Sequence, residues 1–227
     1  MAQQTKNDEL YWAAFNGNLE NVKSLCSDPA VNVNWQSEDG FTALSYACLN
    51  GNSLIVEHLL AQPKIDPNLS SNKGTTPFSI ACSKGHKEVV SVMLSDPRVD
   101  PNKPTNDQST PLWVACQNAH LAVVRLLLAS GREIDTKMIS TFKNRTAAEQ
   151  GRSVASRKTK PENETEEDFQ RTKANGPQCA DLVDEYEKNP DGVRTRLRRE
   201  LLGLPGSFIF QFLLTPLFSF TALIFQL

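Results

Sequence analysis

A segment of the chain recurs at intervals of 34 residues, and this period constrains the fold more than any other feature of the sequence. Three copies begin at Gly40, Gly74 and Gln108, with the sequences GFTALSYACLNGNSLIVEHLLAQ, GTTPFSIACSKGHKEVVSVMLSD and QSTPLWVACQNAHLAVVRLLLAS. A weaker copy, NDELYWAAFNGNLENVKSLCSD, lies one period before the first of these. A fixed period of ~20–50 residues is typical of stacked units that bury their apolar faces against one another. The period therefore predicts a solenoid of four units.

Each copy contains the signals for two helices joined by a short turn. Thr42, Thr76 and Thr110 precede the first helix, and threonine is a favoured N-cap residue. Pro77 and Pro111 follow at the first helical position, where the missing N–H group costs nothing. The second helix has apolar residues at i, i+1, i+4 and i+5, which form an inward-facing stripe. Each copy therefore predicts a helix, a turn, a second helix and a loop.

Composition and short motifs narrow the functional classes. The formal net charge of −2 gives no indication of nucleic-acid binding. The amino-terminal sequence MAQQTKNDEL lacks the basic and then apolar pattern of a signal peptide, so we expect a cytoplasmic chain. The sequence contains no phosphate-cradling glycine loop, no nucleophile elbow and no paired-carboxylate pattern. We therefore expect no enzyme activity and no cofactor.

The cysteines and histidines do not have the spacing of a metal site. Cys48, Cys82 and Cys116 occupy the same position in successive copies, and neighbouring units of a helical stack lie about 8–10 Å apart. That distance exceeds the ~7 Å between Cα atoms that a disulfide permits, and it is too long for shared zinc coordination. His86 and His120 also recur at the period, where they open the second helix. We predict structural, buried cysteines and no metal site.

The period is lost after Asp135, and the rest of the chain changes character several times. Thr146 predicts the first helix of a degenerate fifth unit. The polar, charge-rich stretch over 152–165 predicts a mobile insert, because it has little apolar surface to bury. Four apolar residues between Cys179 and Tyr186 have helical spacing, which predicts a helix that caps the open end of the stack.

A basic helix and an uncharged tail end the sequence. In VRTRLRRELLG, Val193, Leu197 and Leu201 share one face and arginines cover the rest. Residues 207–227 carry no charge, and such a segment is long enough to span the ~30 Å core of a bilayer. Three interpretations of this tail remain open: a membrane anchor, an apolar segment packed on the repeats, and a segment foreign to the natural product. The predicted units are an amino-terminal tail over 1–6, repeats over 7–138, the degenerate fifth repeat with insert and capping helix over 139–188, a basic amphipathic helix over 189–206 and the apolar tail over 207–227.

The repeats resemble the ankyrin repeat, whose pattern opens with T-P-L-H-x-A and continues with G-H-x-E-V-V-x-L-L-L. Thr76-Pro77-Phe78, Gly85-His86 and Glu88-Val89-Val90 fit this pattern closely, and the in-phase copies cover about residues 7–138. The resemblance implies an all-α ankyrin-repeat solenoid. With the features described above, the expected chain has a C-terminal helical cap and an apolar C-terminal tail.

Two departures from the family pattern have structural consequences. The loop glycine is replaced by Gln108 in the fourth repeat, which predicts a weakened joint between the third and fourth repeats. The first repeat begins with Asp8-Glu9-Leu10 instead of Thr-Pro-Leu, as suits a terminal unit that has a neighbour on one side only.

The resemblance also implies a protein-binding surface, made by the loop tips and the concave face of the first helices. By register with the family's variable contact positions, the candidate protein-binding residues are Phe15, Asn16, Glu38, Asp39, Phe41, Leu49, Asn50, Asn72, Lys73, Thr75, Ser83, Lys84, Asn106, Asp107, Ser109, Gln117 and Asn118. Phe41 is the most informative of these, because a large aromatic side chain at a loop tip is a typical interface anchor. For Trp35 and Trp113 we expect packing between loops.

We therefore predict a non-enzymatic, monomeric scaffold that binds a protein client and no nucleic acid, with a tail that could tether it to a membrane. One alternative is a soluble adaptor that presents its client through the C-terminal helices, as in ubiquitin ligation or signalling. The other alternative is a regulator that occludes the active site of an enzyme. A surface ordered before binding would contribute affinity in all three cases, since little ordering cost accompanies association.

Overall fold

The computed structural model describes residues 2–161 and 164–203, and within them the chain forms eleven helices and no strand. The helices are α1 (Ala2–Phe15), α2 (Leu19–Cys26), α3 (Ala43–Leu49), α4 (Ser53–Leu60), α5 (Pro77–Lys84), α6 (Lys87–Ser95), α7 (Pro111–Gln117), α8 (Leu121–Ala129), α9 (Ala147–Ala155), α10 (Glu166–Lys188) and α11 (Pro190–Leu201). The predicted all-α repeat fold is confirmed. None of these helices is long and apolar enough to cross a membrane. The predicted tail over 207–227 lies outside the described residues.

The first eight helices form pairs that stack in chain order. The first helices of the pairs, α1, α3, α5 and α7, pack in one row that α9 continues, and we call these the inner helices. The second helices α2, α4, α6 and α8 form the outer row. Leu44, Ala47 and Cys48 of α3 are fully buried between the rows, and the equivalent residues of α5 and α7 are buried too. Alanine and cysteine at these positions allow neighbouring units to approach closely.

Threonine caps start the inner helices where the sequence predicts them. The side chains of Thr42, Thr76 and Thr110 each accept a hydrogen bond from the backbone N–H three residues later, at 3.1, 3.1 and 3.2 Å. Pro77 and Pro111 occupy the first turn. Each bond satisfies one of the N–H groups that the start of a helix leaves unpaired.

Hairpin loops ahead of the inner helices connect neighbouring units through their backbones. Gly40 and Gly74 occupy the left-handed turn position, with φ of 81° and 79°. The N–H groups of Asn72 and Asn106 donate to carbonyl oxygens of the preceding hairpin, both at 3.0 Å. The hairpin tips therefore form a continuous hydrogen-bonded edge along the stack.

Two additional residues end the 34-residue period: one lies before Asp135, which is 35 residues after Asp100, and the other lies in the hairpin before α9. In the earlier hairpins the closing N–H and C=O groups are four residues apart, as between Ser37 and Phe41. Ser140 pairs with Arg145 instead, so this loop is one residue longer. Asn144 takes the left-handed turn conformation with φ of 50°, which asparagine tolerates better than most residues.

Asparagine side chains connect the loops on the other side of each repeat. The side-chain amides of Asn34, Asn68 and Asn102 donate to a carbonyl oxygen of the next loop at 2.7, 2.7 and 2.8 Å. Their Oδ1 atoms accept from a backbone N–H of that loop at 2.9, 2.8 and 2.9 Å. Each amide therefore joins two successive loops with two hydrogen bonds, which fixes the spacing of the units.

A side chain of the next unit closes the turn between the helices of a pair. Gly51 and Gly85 have φ of 75° and 77°, and the rings of His86 and His120 lie against them. The Nε2 atoms of these histidines lie 3.0 and 2.9 Å from a backbone carbonyl of the preceding unit. Because a carbonyl only accepts, Nε2 carries the proton in both rings. The recurring histidines are therefore structural links between repeats.

Two predicted boundaries are wrong. Residues 2–6, expected to be a tail, belong to α1, because the segment contains no glycine or proline that would stop the helix. The expected mobile insert over 152–165 begins too early, since α9 continues to Ala155. Val154 is the one large apolar residue of that stretch, and its burial fixes the last turn of α9.

Helix α10 covers the C-terminal end of the stack. It packs against α7, α8 and α9 and buries Cys179 and Val183 completely. Gly151 of α9 and Gly176 of α10 meet at a close crossing, where a Cβ atom on Gly176 would lie 2.7 Å from the carbonyl oxygen of Gly151. Glycine at both positions is therefore required for this helix–helix distance.

Three of the four arginines of α11, Arg194, Arg196 and Arg198, are engaged within the fold. Val193 and Leu197 are buried against the core, and α11 packs on α8 and α10. Arg198 Nε donates to the carbonyl oxygen of Ala129 at 2.8 Å, at the carboxyl end of α8. A cation here complements the partial negative charge of the helix end. The predicted basic helix is thus an integral part of the stack.

Candidate functional site

A groove of about 390 Å³ lies along α3, α5 and α7, and we call it the inner-helix groove. Its lining residues are Phe41, Ser45, Tyr46, Leu49, Thr75, Ser79, Ile80, Ser83, Lys84, Thr105, Asp107, Ser109, Trp113, Val114, Gln117 and Phe142. The hairpin tips form one edge of the groove, and the carboxyl ends of the inner helices form the other. Aliphatic and aromatic side chains lie there among hydroxyl groups, so the groove offers both apolar contact and hydrogen-bonding groups.

The structure brings about half of the predicted binding residues together in this groove. Those that line it are Phe41, Leu49, Thr75, Ser83, Lys84, Asp107, Ser109 and Gln117. Those that lie outside it are Phe15, Asn16, Glu38, Asp39, Asn50, Asn72, Lys73, Asn106 and Asn118. Ser109 is buried, and its hydroxyl lies 2.9 Å from that of Ser140, so it supports the wall of the groove from behind.

Three of the predicted residues outside the groove, Asn72, Asn106 and Asn118, have side-chain amides that bond within the protein. At the hairpin edge, the side-chain amide of Asn72 donates to the carbonyl of Glu38 at 2.8 Å, and that of Asn106 donates to the carbonyl of Asn72 at 3.0 Å. At the opposite edge, the Asn118 amide donates to the Ser83 hydroxyl at 3.1 Å. These asparagine amides are therefore used within the protein.

The sequence prediction missed the floor of the groove. Two adjacent positions of each inner helix contribute to it: Ser45 and Tyr46 in α3, Ser79 and Ile80 in α5, and Trp113 and Val114 in α7. These pairs recur at the 34-residue period, so the sequence alone could have placed them on the same face of each inner helix. Phe142 had no such signal, because it lies in the hairpin that breaks the period.

Trp113 closes one end of the groove. Its side chain is buried, and its ring N–H donates to the carbonyl oxygen of Arg145 at 3.0 Å. The equivalent positions, Ser45 and Ser79, carry small hydroxyl side chains. Trp113 packs against the longer hairpin, and the Lys143 ammonium lies 4.3 Å from the ring centre of its neighbour Phe142.

An aromatic cluster borders the opposite end of the groove. The ring centroid of Tyr46 lies 4.3 Å from that of Tyr11, 5.6 Å from Phe15 and 5.7 Å from Phe41, all edge to face. Trp12 extends the cluster and remains 53% exposed. Burial raises the pKa of Tyr46 to about 12, and a hydrogen bond with Tyr11 and the charge of Asp39 add to this shift. The Tyr46 phenol is therefore neutral at physiological pH.

Charged groups are distributed unequally along the groove. Glu38 and Asp39 are exposed at the hairpin tip beside the aromatic cluster. Asp107 lies near the other end, and its carboxylate accepts hydrogen bonds from the hydroxyls of Thr105 and Ser109. Lys84 is exposed at the edge formed by the inner helices. The two ends of the groove therefore present different electrostatic environments.

The recurring cysteines are buried in the core of the stack. No group of three or more histidine, cysteine or acidic side chains converges in the described part of the chain. Burial raises the pKa values of the Cys48 and Cys82 thiols well above the ordinary range. The pKa of the Cys116 thiol is also raised, first by a hydrogen bond with Cys179 and then by burial. These thiols are protonated core residues.

Comparison with protein families identifies the repeats independently. A family model described as ankyrin repeats, with three copies, matches residues 2–71 and 50–138. Together the two matches span more than half of the 227-residue chain and include α1 to α8. A search of curated proteins found no match to this chain.

Proposed function

The chain belongs to the ankyrin-repeat family, and we propose that it is a non-enzymatic scaffold whose inner-helix groove binds a segment of a client protein. Ankyrin repeats are protein-interaction modules. The observation that carries the proposal is the groove itself, because eight of the residues predicted to bind a client line one continuous depression.

The groove is suited to binding because its walls are held in place before any partner arrives. The hairpin edge is fixed by backbone bonds between units at 3.0 Å, and the loops behind it are fixed by the asparagine links. A preformed surface loses little conformational entropy on association. Most of the conformational entropy lost on binding is therefore that of the client segment, as expected when a rigid scaffold binds a flexible segment.

The lining of the groove has the composition of an interface. Phe41, Tyr46 and Leu49 are half-buried and present partly exposed apolar surface, and hydroxyls of neighbouring serines and threonines provide donors and acceptors. Aromatic anchors surrounded by polar groups are typical of the residues that dominate binding energy at interfaces. We propose on this basis that Phe41 and Tyr46 are the main contributors to client affinity.

The experiment that tests this function is selection of peptides from a randomised display library against the full chain. Leu49 lies in the groove, whereas Leu54 lies on α4 and is 64% exposed on the outer side. We expect Leu49→Arg to abolish capture of the selected peptides and Leu54→Arg to leave it unchanged. Equal capture by both variants, or no peptide that depends on Leu49, would refute binding in the groove.

We further propose that α9 and α10 form a degenerate fifth repeat and cap, and that α11 completes it. The supporting observations are the Thr146 cap of α9, the burial of Cys179 and Val183, and the packing of α11 on α8. This arrangement favours a scaffold over an adaptor that presents its client through α11, because three of the four arginines of α11 bond within the fold. A regulator that occludes an enzyme would use the same groove.

A membrane tether is a separate proposal that rests on the uncharged sequence of 207–227 alone. Alkaline carbonate extraction of cells that express the full chain, and of cells that express a version ending at Leu204, tests it. Retention of the full chain in the membrane pellet and release of the shortened chain is the expected result. If carbonate releases both proteins equally, 207–227 is not an anchor.

A further inference from the structure

The aromatic cluster at the α1–α3 end of the groove has the geometry of a cation-binding surface. Tyr46 is surrounded by the rings of Tyr11, Phe15 and Phe41, and its ring forms part of the groove wall. Phe41 and Tyr46 are half-buried in the lining, so this part of the cluster is open to the groove, and Phe15 is 37% exposed outside it. Aromatic faces attract arginine and lysine side chains through the ring quadrupole.

Two carboxylates lie at the same end. Glu38 and Asp39 are exposed at the tip of the hairpin that carries Phe41, and the charge of Asp39 acts on Tyr46. Within the described residues, neither carboxylate forms an ion pair or a side-chain hydrogen bond. An uncompensated pair of negative charges beside an open aromatic surface favours a positively charged ligand group.

The rest of the groove is less favourable for a cation. Asp107 keeps its negative charge while it accepts hydrogen bonds from two hydroxyls, but it is a single carboxylate, and the Lys84 ammonium also lies at the edge of the groove. At the far end, Lys143 lies over the ring of Phe142 and occupies that aromatic face. A client cation is therefore favoured at the α1–α3 end, where two carboxylates lie beside the aromatic cluster, and the remaining contacts are mainly with apolar and hydroxyl groups.

The length of the groove sets the length of the client segment. From Phe41 to Phe142 the lining crosses three helix-to-helix steps, each about 8–10 Å in packed helices. An extended chain advances about 3.3 Å per residue, so about seven to nine residues span this distance. A single helical turn would be too short to contact both ends.

We infer that the inner-helix groove binds an extended peptide segment with an arginine or lysine side chain at one end, seated on Tyr46 and Phe41 beside Glu38 and Asp39, and apolar side chains along the remainder. This inference rests on the proposed function and specifies the client's chemistry. The cation determines which end of the client lies at α3. The apolar side chains occupy the groove between Leu49 and Trp113.

The inference is tested by analysing which peptides a randomised library of about nine-residue peptides yields against the full chain. We expect the selected peptides to share a basic residue at one end, followed by apolar residues. The best peptide is then synthesised with blocked termini, which removes terminal charges. Replacement of its basic residue by glutamine is expected to weaken binding about 10-fold, in the range of a cation–π contact combined with an ion pair.

Two variants of the protein assign this effect to the proposed residues. The double variant Glu38→Gln, Asp39→Asn retains side-chain size, and Phe41→Leu retains apolar surface while it removes the ring. In each variant we expect the basic and the glutamine peptide to bind with affinities that differ less than about 3-fold. The matched control is Glu57→Gln with Glu88→Gln, two exposed acids on α4 and α6, which should retain the full difference.

The outcomes separate this inference from the proposed function. Selected peptides that require Leu49 but contain no basic residue would overturn the inference and leave groove binding intact. Basic peptides that bind the double variant as tightly as the parent protein would also overturn it, because the charge would then be recognised elsewhere. If no selected peptide depends on Leu49, both are refuted. Thermal unfolding of each variant shows whether loss of binding reflects loss of fold.

Discussion

Replacement of Gln108 by glycine should stabilise the protein. Gln108 takes the left-handed conformation with φ of 60°, at the position that Gly40 and Gly74 occupy in the preceding hairpins with φ of 81° and 79°. Its side chain is exposed, so the substitution removes little packing. The left-handed conformation is costly for every residue with a Cβ atom and free of that cost for glycine.

The expected gain is the difference between two opposing effects. Relief of the left-handed backbone contributes about 1–2 kcal/mol. The greater freedom of glycine in the unfolded chain removes about 0.4–1 kcal/mol of this. The net stabilisation is therefore about 1 kcal/mol, which corresponds to a rise in Tm of about 2–4 °C for a chain of this size.

Urea and thermal unfolding of Gln108→Gly and two companion variants test this reasoning. Gln108→Ala retains the Cβ atom and should give no gain. Gly74→Ala should destabilise by more than about 2 kcal/mol, because it adds a clash to the backbone cost. At Gly74 a Cβ atom would lie 2.6 Å from Asn106 Oδ1 and 2.7 Å from its backbone nitrogen. An unchanged or lowered unfolding midpoint for Gln108→Gly would refute the assignment of strain to this joint.

Three further substitutions test the links between units. The pKa of His120 is lowered from 6.5 by burial and by Arg171, so its contribution to stability is present above pH ~6.5 and is lost as the pH falls. His120→Asn copies the residue at the equivalent position, Asn52, whose side-chain amide donates to the Ala14 carbonyl at 3.2 Å. Between pH 7.5 and 5.5, on either side of the ordinary histidine pKa of ~6.5, this variant should lose less Tm than the parent protein. An equal loss of Tm in the two proteins would contradict this reasoning. Gly176→Ala should cost about 1–3 kcal/mol in urea unfolding, since its Cβ would meet the Gly151 carbonyl at 2.7 Å, and a neutral result would mean that α9 and α10 separate easily. Leu197→Ala should cost about 2–5 kcal/mol in the same assay because Leu197 is fully buried, whereas a silent substitution would show that α11 is not part of the stack.

The regular half of the fold was predictable because each unit repeats the same local signals. Threonine caps, proline at the first helical position and the stripe of the second helix all agree with one another, and such agreement specifies a structure strongly. The alignment of the repeats alone showed that Gln108 stands where the other hairpins have glycine. The structure shows that Gln108 adopts the positive φ that glycine adopts there. Tertiary contacts stabilise the helices of the repeats, but these helices already lie where the local signals predict them.

The remaining features depend on contacts that the repeat does not encode. One additional residue before Asp135 and another between Ser140 and Arg145 shift the register, so Phe142 could not be placed in the groove from the sequence. The arginines of α11 resembled a free basic face because their partners include backbone carbonyls, such as that of Ala129, which no sequence pattern displays. The floor of the groove was overlooked because the prediction followed the family's variable contact positions, at the loop tips and the carboxyl ends of the inner helices, although Tyr46 and its equivalents recur with the same period.

Hydrogen exchange of the full chain, with and without a selected peptide, tests groove binding most directly. We expect the peptide to slow exchange in three segments that line the groove, at 41–49, 75–84 and 105–117. The outer helices, such as α4 and α6, should be protected much less. Protection confined to the outer helices or to α10 and α11 would place the client elsewhere and would contradict binding in the inner-helix groove.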